Sequence, residues 1–126
     1  MAKLSEAHAE ELKESMKAAG INFVVYVPDS WNHLLQKKII EDKAFFSVGM
    51  VREDEAMATA MGAFMGGKNS AIIMEASGLG LSGLALGWLA GMQRMALLIV
   101  SSHTASLGES TDYHAVTRTV TFPMLT

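Results

Sequence analysis

The sequence predicts an α/β fold in three layers, helices on either side of a parallel sheet. Short apolar, β-branched runs alternate with helical patterns along the whole chain, as strands joined by crossover helices require. The connections are only a few residues long, which suits successive βα units. Half of the 126 residues are hydrophobic and only 18% are charged, enough apolar surface to cover both faces of a sheet within one domain, 1–126.

The first element is a helix over 5–19, with Ala9, Leu12, Met16 and Ala19 on one face and Gly20 as its stop. Residues 22–27 (Asn-Phe-Val-Val-Tyr-Val) read as a buried strand, ended by Pro28-Asp29-Ser30. Asp29 or Ser30 is placed to cap a helix over 31–41, whose Leu34, Leu35 and Ile39 face inward. A second strand follows over 45–51, then an alanine- and methionine-rich helix over 54–66, closed by Gly66-Gly67. Residues 71–76 form a third strand that opens onto a turn, Ser77-Gly78-Leu79-Gly80. A helix over 81–93, a fourth strand over 95–101, a polar loop over 102–113 and a last helix over 114–125 complete the chain. No repeat, low-complexity tract or interdomain linker interrupts it.

Composition excludes several classes. A net charge of −3 without a basic run argues against nucleic acid or an anionic membrane surface. The absence of cysteine removes disulfides, thiolate nucleophiles and Cys-ligated zinc, and fits a cytoplasmic chain. The N-terminal residues are charged and amphipathic rather than signal-like. Residues 76–92 carry no charge, and Gly83, Gly87 and Gly91 repeat there at four-residue spacing, a pattern also found in packed membrane helices. At 17 residues, bounded by Glu75 and by Gln93-Arg94, the stretch is short of the ~20 that a span needs, so a buried helix is expected. Its glycines would let the sheet or a second subunit come close.

Four candidate sites each follow a strand and so share one sheet edge: Pro28-Asp29-Ser30, Arg52-Glu53, Ser77-Gly78-Leu79-Gly80 and the loop 102–113. Open parallel sheets bind ligands at that carboxyl edge. Gly78-Leu79-Gly80-Leu81-Ser82-Gly83 also matches the dinucleotide fingerprint G-x-G-x-x-G. Its acidic partner is missing, because Ser101, Ser102 and His103 stand at the end of the next strand. A nicotinamide- or flavin-binding oxidoreductase is therefore a weak alternative, and a tight turn before a closely packed helix explains the glycines as well. No G-x-S-x-G elbow supports a serine hydrolase. A metal site from His103, His114 and Asp112 has no recognised ligand spacing, so no metal ligand is assigned.

The run from Arg52-Glu53-Asp54-Glu55-Ala56 to Gly62, then Gly67-Lys68, a strand and Ser77-Gly78-Leu79-Gly80, resembles the pyrimidine-binding domain of thiamine-diphosphate enzymes. That family carries a strand-end glutamate with glycine nine residues on, a Gly-Lys pair, and a Ser-Gly-Pro-Gly turn; here leucine replaces the proline. Val27-Pro28-Asp29-Ser30 resembles the Val-Pro-Asp-Ser of decarboxylases acting on sulfopyruvate and phosphonopyruvate. Ser102-His103-Thr104 is similar to the His-His-Thr of simple 2-oxoacid decarboxylases, with its first histidine lost.

The resemblance implies a role for each position. Glu53 would exchange a proton with the distal nitrogen of the cofactor's aminopyrimidine, work suited to a carboxyl group in an apolar site, where desolvation raises its pKa. Read by position alone, Glu53 is a helix-start carboxylate favoured by the dipole, as Asp54 and Glu55 are, and only the rest of the motif reverses that reading. Ser77, Gly78, Leu79 and Gly80 would let the backbone approach the pyrimidine, and His103 joins Glu53 as a catalytic candidate. Substrates with a second anion need cationic or hydrogen-bonding groups, for which Pro28, Asp29, Ser30, His103, His114 and Arg118 are the candidates; for His114 and Arg118 a solvated helix face is the simpler reading. The family holds the diphosphate and Mg²⁺ with a Gly-Asp-Gly motif on a second domain, and this sequence has no Gly-Asp-Gly. The resemblance therefore implies a partner of β-subunit type, a hetero-oligomer, and an active site at the subunit interface. The chain is short for this domain, so a C-terminal truncation, or a noncatalytic scaffold, is the reading to set against the enzyme. Self-association of this chain is also compatible with the sequence.

Overall fold

The computed structural model describes residues 4–104 and 114–125. The elements run in the order α1 (Glu6–Ala18), β1 (Phe23–Tyr26), α2 (His33–Glu41), β2 (Phe46–Gly49), α3 (Glu53–Met65), β3 (Ser70–Glu75), α4 (Ser77–Leu81), α5 (Gly83–Ala85), a π-helical stretch (Leu86–Met92), β4 (Leu98–Ser102) and α6 (His114–Leu125). The sheet has the order β2-β1-β3-β4 and every pair is parallel. In register, Val25 stands between Val48 and Ile72, and Ile73 pairs with Val100.

The pleat sends alternate residues to opposite faces. On one face Val24, Ala71 and Ile73 meet Ala9 and Met16 of α1 and Leu35 and Ile39 of α2. On the other, Val25, Ile72 and Met74 meet Ala56, Met57 and Ala60 of α3 and Leu79 of α4. Burying an isoleucine or methionine completely, as at Ile72 and Met57, stabilises the fold by about 1.5–3 kcal/mol each. The result is the three-layer α/β/α architecture with a parallel sheet expected from the sequence.

Local signals explain the ends. Ser5 caps α1, accepting a hydrogen bond from His8 N at 3.2 Å. Gly20, at φ +78°, takes the left-handed conformation that stops it. Lys38 of α2 reaches Glu6 and Glu10 of α1 at 3.1 and 3.0 Å, and Lys17 reaches Asp42 at 2.8 Å, so charge ties the two helices on their solvent side.

Three local expectations are corrected. Ser77-Gly78-Leu79-Gly80 is not a turn before a helix but the body of α4. Neither Asp29 nor Ser30 caps α2, which starts at His33 with Asn32 in the cap position; Asp29 instead fastens the turn ahead of it, accepting from Trp31 N at 2.8 Å. The single helix expected over 81–93 is broken at Ser82 and continues as α5 and the π-helical stretch. Arg94, at φ +52°, closes that stretch. Among the described residues no helix is long and apolar enough to cross a membrane.

Candidate functional site

Because all four strands run the same way, the residues after β1, β2, β3 and β4 lie on one edge, as the sequence predicted. Helix α6 crosses that edge. His114 at its start meets the ring of Trp31 edge-on at 6.4 Å, Thr117 lies 2.9 Å from the Thr104 hydroxyl, Val120 fills the space beside Gly80, and Met124 reaches Gly83.

Glu53 opens α3 and is half-buried. Its neighbour Arg52 turns away from it and holds Asp54 with both Nε and a terminal nitrogen, at 3.0 and 2.8 Å. That guanidinium keeps the Asp54 carboxyl below the usual carboxylate range. Asp54 is thus the partner of Arg52, while among the described residues nothing donates a hydrogen bond to Glu53. The Glu53 stem lies against the backbone of Gly78, where a Cβ would overlap its Cγ. Gly78 is buried, and a strand-end carboxylate can occupy this position only because position 78 has no side chain. Gly80 is closed in the same way by Val120. All three glycines of the dinucleotide-like motif therefore face side chains of this chain itself, Glu53 at Gly78, Val120 at Gly80 and Met124 at Gly83, which leaves that motif the packing role.

Asp29 lies on the other face of the sheet. Its carboxylate accepts from Trp31 N, from Asn32 Nδ2 at 2.7 Å and from Ser102 Oγ at 3.2 Å. Asn32, 7% exposed, also reaches the Met74 carbonyl at 3.4 Å, and Gln36 donates to the Val27 carbonyl at 2.8 Å. These bonds lock the ends of β1, β3 and β4 together. Pro28 and Ser30 flank Asp29 on the exposed side of the loop.

Between the two clusters stands Glu75, the last residue of β3. It accepts from the Ser77 hydroxyl and from Thr104 Oγ1, the latter at 3.1 Å. Ser77 is thereby turned toward Glu75, and Leu79 points into the core. His103 is exposed and meets the ring of Phe122 edge-on at 5.1 Å. With Leu79, Ile99, Ser101 and Thr121 it borders a groove of ≈ 340 Å³ between β4 and α6. Arg118 is exposed on α6, one turn beyond the half-buried His114. The structure thus brings Glu53 to Gly78, and Asp29 to Ser102, but it leaves these pairs on opposite faces of the sheet. Most of the loop 102–113, Asp112 included, lies outside the described residues.

Over 101 residues, 80% of the chain, the sequence is 36% identical to the α subunit of sulfopyruvate decarboxylase from Methanothermobacter thermautotrophicus. Two further curated relatives carry the same description. The subunits of that name from Methanococcus maripaludis and Methanocaldococcus jannaschii are 31% and 35% identical over 101 and 95 residues. The chain spans 61%, 60% and 56% of the length of these three relatives. In structure, 74% of the chain superposes on 17% of a 2-oxoglutarate:ferredoxin oxidoreductase from Magnetococcus marinus, with a TM-score of 0.66 and 22% identity, a likeness of fold. No family model matches the sequence.

The similarity to sulfopyruvate decarboxylase α subunits agrees with the resemblance read from the Glu53 and Ser77-Gly78-Leu79-Gly80 motifs. Sequence reasoning missed Asn32, Gln36, Glu75 and Thr104. Glu75 lay one residue before the end of the predicted strand 71–76 and carried the one available signal, a carboxylate near a strand's carboxyl end.

Proposed function

We propose that this chain is the pyrimidine-binding subunit of a heteromeric thiamine-diphosphate-dependent decarboxylase, converting sulfopyruvate to sulfoacetaldehyde and CO₂ in the cytoplasm. One observation supports it above others: at the carboxyl edge, a half-buried Glu53, to which nothing among the described residues donates a hydrogen bond, lies on the bare backbone of Gly78. The identity to sulfopyruvate decarboxylase α subunits supports the choice of substrate class.

The residues fit the cofactor's pyrimidine end. When bound, thiamine diphosphate supplies the electron sink that loss of CO₂ from a 2-oxoacid requires. Glu53 would hold a proton at its carboxyl oxygen toward the distal pyrimidine nitrogen and take it back, a general acid–base task. The backbone of α4 would border the ring. His103, beside the groove under α6, would meet the substrate, with His114 and Arg118 offering positive charge to its sulfonate. Asp29, with both oxygens engaged, would position Ser102 and the β1–α2 loop rather than touch the substrate. Diphosphate and Mg²⁺ would sit on a β-type partner, and the active site would form where that partner covers the carboxyl edge.

The test is to purify the chain with a partner that carries the diphosphate-binding half and to measure thiamine-diphosphate-dependent CO₂ release from sulfopyruvate and from phosphonopyruvate. Cofactor binding is followed separately by protein fluorescence. The proposal expects sulfopyruvate turnover that Glu53→Gln abolishes without dispersing the complex. Turnover unchanged in that variant would point to a noncatalytic scaffold, and preference for phosphonopyruvate would reassign the substrate.

A further inference from the structure

Glu75 has no part in the proposed chemistry, yet its carboxylate is bonded beside both of the residues that do. Its Oε2 accepts from the Ser77 hydroxyl, on the first residue of α4, and its Oε1 accepts at 3.1 Å from Thr104, which is fully buried just beyond β4. Hydroxyl bonds to a carboxylate are stronger than those between neutral groups. Each donor is next to a candidate. Ser77 precedes Gly78, whose backbone supports the Glu53 stem, and Thr104 follows His103. The second arm extends further, because Thr104 lies 2.9 Å from the Thr117 hydroxyl of α6. That helix carries Phe122, the ring that His103 meets edge-on. The base of both arms is firm, since β3 is an inner strand held by β1 and β4.

We propose that Glu75 is a positioning residue, which holds Glu53 and His103 at a fixed separation through Ser77 and Thr104. Its catalytic consequence rests on the proposed function; its structural consequence does not. One carboxylate shared by two elements sets the distance between them, whereas separate anchors would let each drift alone. A displacement of ~1 Å in a reacting group can cost about a hundredfold in rate. The arms act on different partners. Cutting the Ser77 arm loosens the start of α4 under Glu53, whose task is proton exchange with the cofactor, and so lowers kcat. Cutting the Thr104 arm loosens His103 and α6, which border the groove proposed for the substrate, and so raises KM. Removing Glu75 does both.

Glu75→Ala, Glu75→Gln, Ser77→Ala and Thr104→Val in the full chain test this in two ways. In the chain alone, NMR of the His103 imidazole reports its seat against Phe122, because an aromatic ring displaces the signals of protons packed on it. Glu75→Ala and Thr104→Val should move those signals toward their positions in Phe122→Leu, while Ser77→Ala leaves them in place. With the diphosphate-bearing partner, Ser77→Ala should lower kcat by about ten- to a hundredfold at unchanged KM, Thr104→Val should raise KM, and Glu75→Ala should do both. Glu75→Gln can accept one hydroxyl and donate to the other, so it should restore the His103 signals and bring kcat and KM within about threefold of wild type. If Glu75→Ala fails to fold, Ser77→Ala and Thr104→Val, which cut one arm each, decide. Unmoved His103 signals in Glu75→Ala or Thr104→Val overturn the proposal. So does a Glu75→Ala variant that loses only stability, with its urea midpoint lowered and both kinetic constants intact. Turnover that survives Glu53→Gln overturns the proposed function instead, and the His103 signals then decide the positioning by themselves.

Discussion

The side chain of Glu53 rests on the backbone of Gly78 so closely that a methyl group there would overlap its Cγ and come within 2.9 Å of the Met74 sulfur. Position 78 therefore sets where the carboxylate can be. Gly78→Ala gains about 1 kcal/mol of helix propensity and loses roughly 1–3 kcal/mol to overpacking. The melting temperature should change by only a few degrees, while decarboxylation with the partner subunit drops at least tenfold. Activity equal to wild type would detach Gly78 from Glu53 positioning.

Glu53→Gln keeps the shape of the side chain and breaks no hydrogen bond among the described residues. Its thermal and urea unfolding should overlay those of wild type. Turnover in the reconstituted complex should fall by about 10²–10⁴, the range of a lost general acid–base group.

Asp29 accepts hydrogen bonds from three donors, one of them on the buried Asn32. Asp29→Ala leaves the Asn32 amide with only its 3.4 Å contact to Met74 O, and should cost about 2–3 kcal/mol. Asp29→Asn should lose nearly as much, because its own amide would face that of Asn32. Urea midpoints at neutral pH measure both. If Asp29→Asn matched wild type, the charge would have no part in this lock.

The α1–α2 ion network predicts acid sensitivity. Lys13 and then Lys38 hold the Glu10 carboxyl below its ordinary range, and Lys17 does the same for Asp42. Depressed acids contribute fully above their unfolded values near 4 and lose that contribution as pH falls through the lower folded values. Lys17 and Lys38 are raised by the same contacts, so their share persists up to about pH 10 and is lost above it. Urea midpoints should therefore fall on going from about pH 5 to pH 3, and less steeply in Lys38→Ala or near 1 M salt.

Much of the fold was legible because its signals are local. The apolar runs at Val24-Val25 and Ala71-Ile72-Ile73-Met74 announce strands, and Ser5 and Gly20 bound α1 as a cap and a stop should. Glu53 stood out only through the family resemblance of the motif around it, since by position alone it reads as a first-turn acid like Asp54 and Glu55. The helical state of Ser77-Gly78-Leu79-Gly80 was not legible, because glycines read as a turn until Glu53 and Val120 are seen filling the places of their absent side chains. Nor were the partners of Asp29 and Glu75. Ser102 is 73 residues from Asp29, and Thr104 is 29 residues from Glu75. No periodicity encodes such pairs; the sheet order brings them together.

Glu53 with Gly78 and Asp29 with Ser102 stand on opposite sides of a partition one strand thick. Each has its own layer of helices, so substitutions that reshape one need not disturb the other. Substitutions could accumulate in the loop after β1 while the carboxylate at the start of α3 keeps its place on Gly78. Such a division lets either layer change without rebuilding the other.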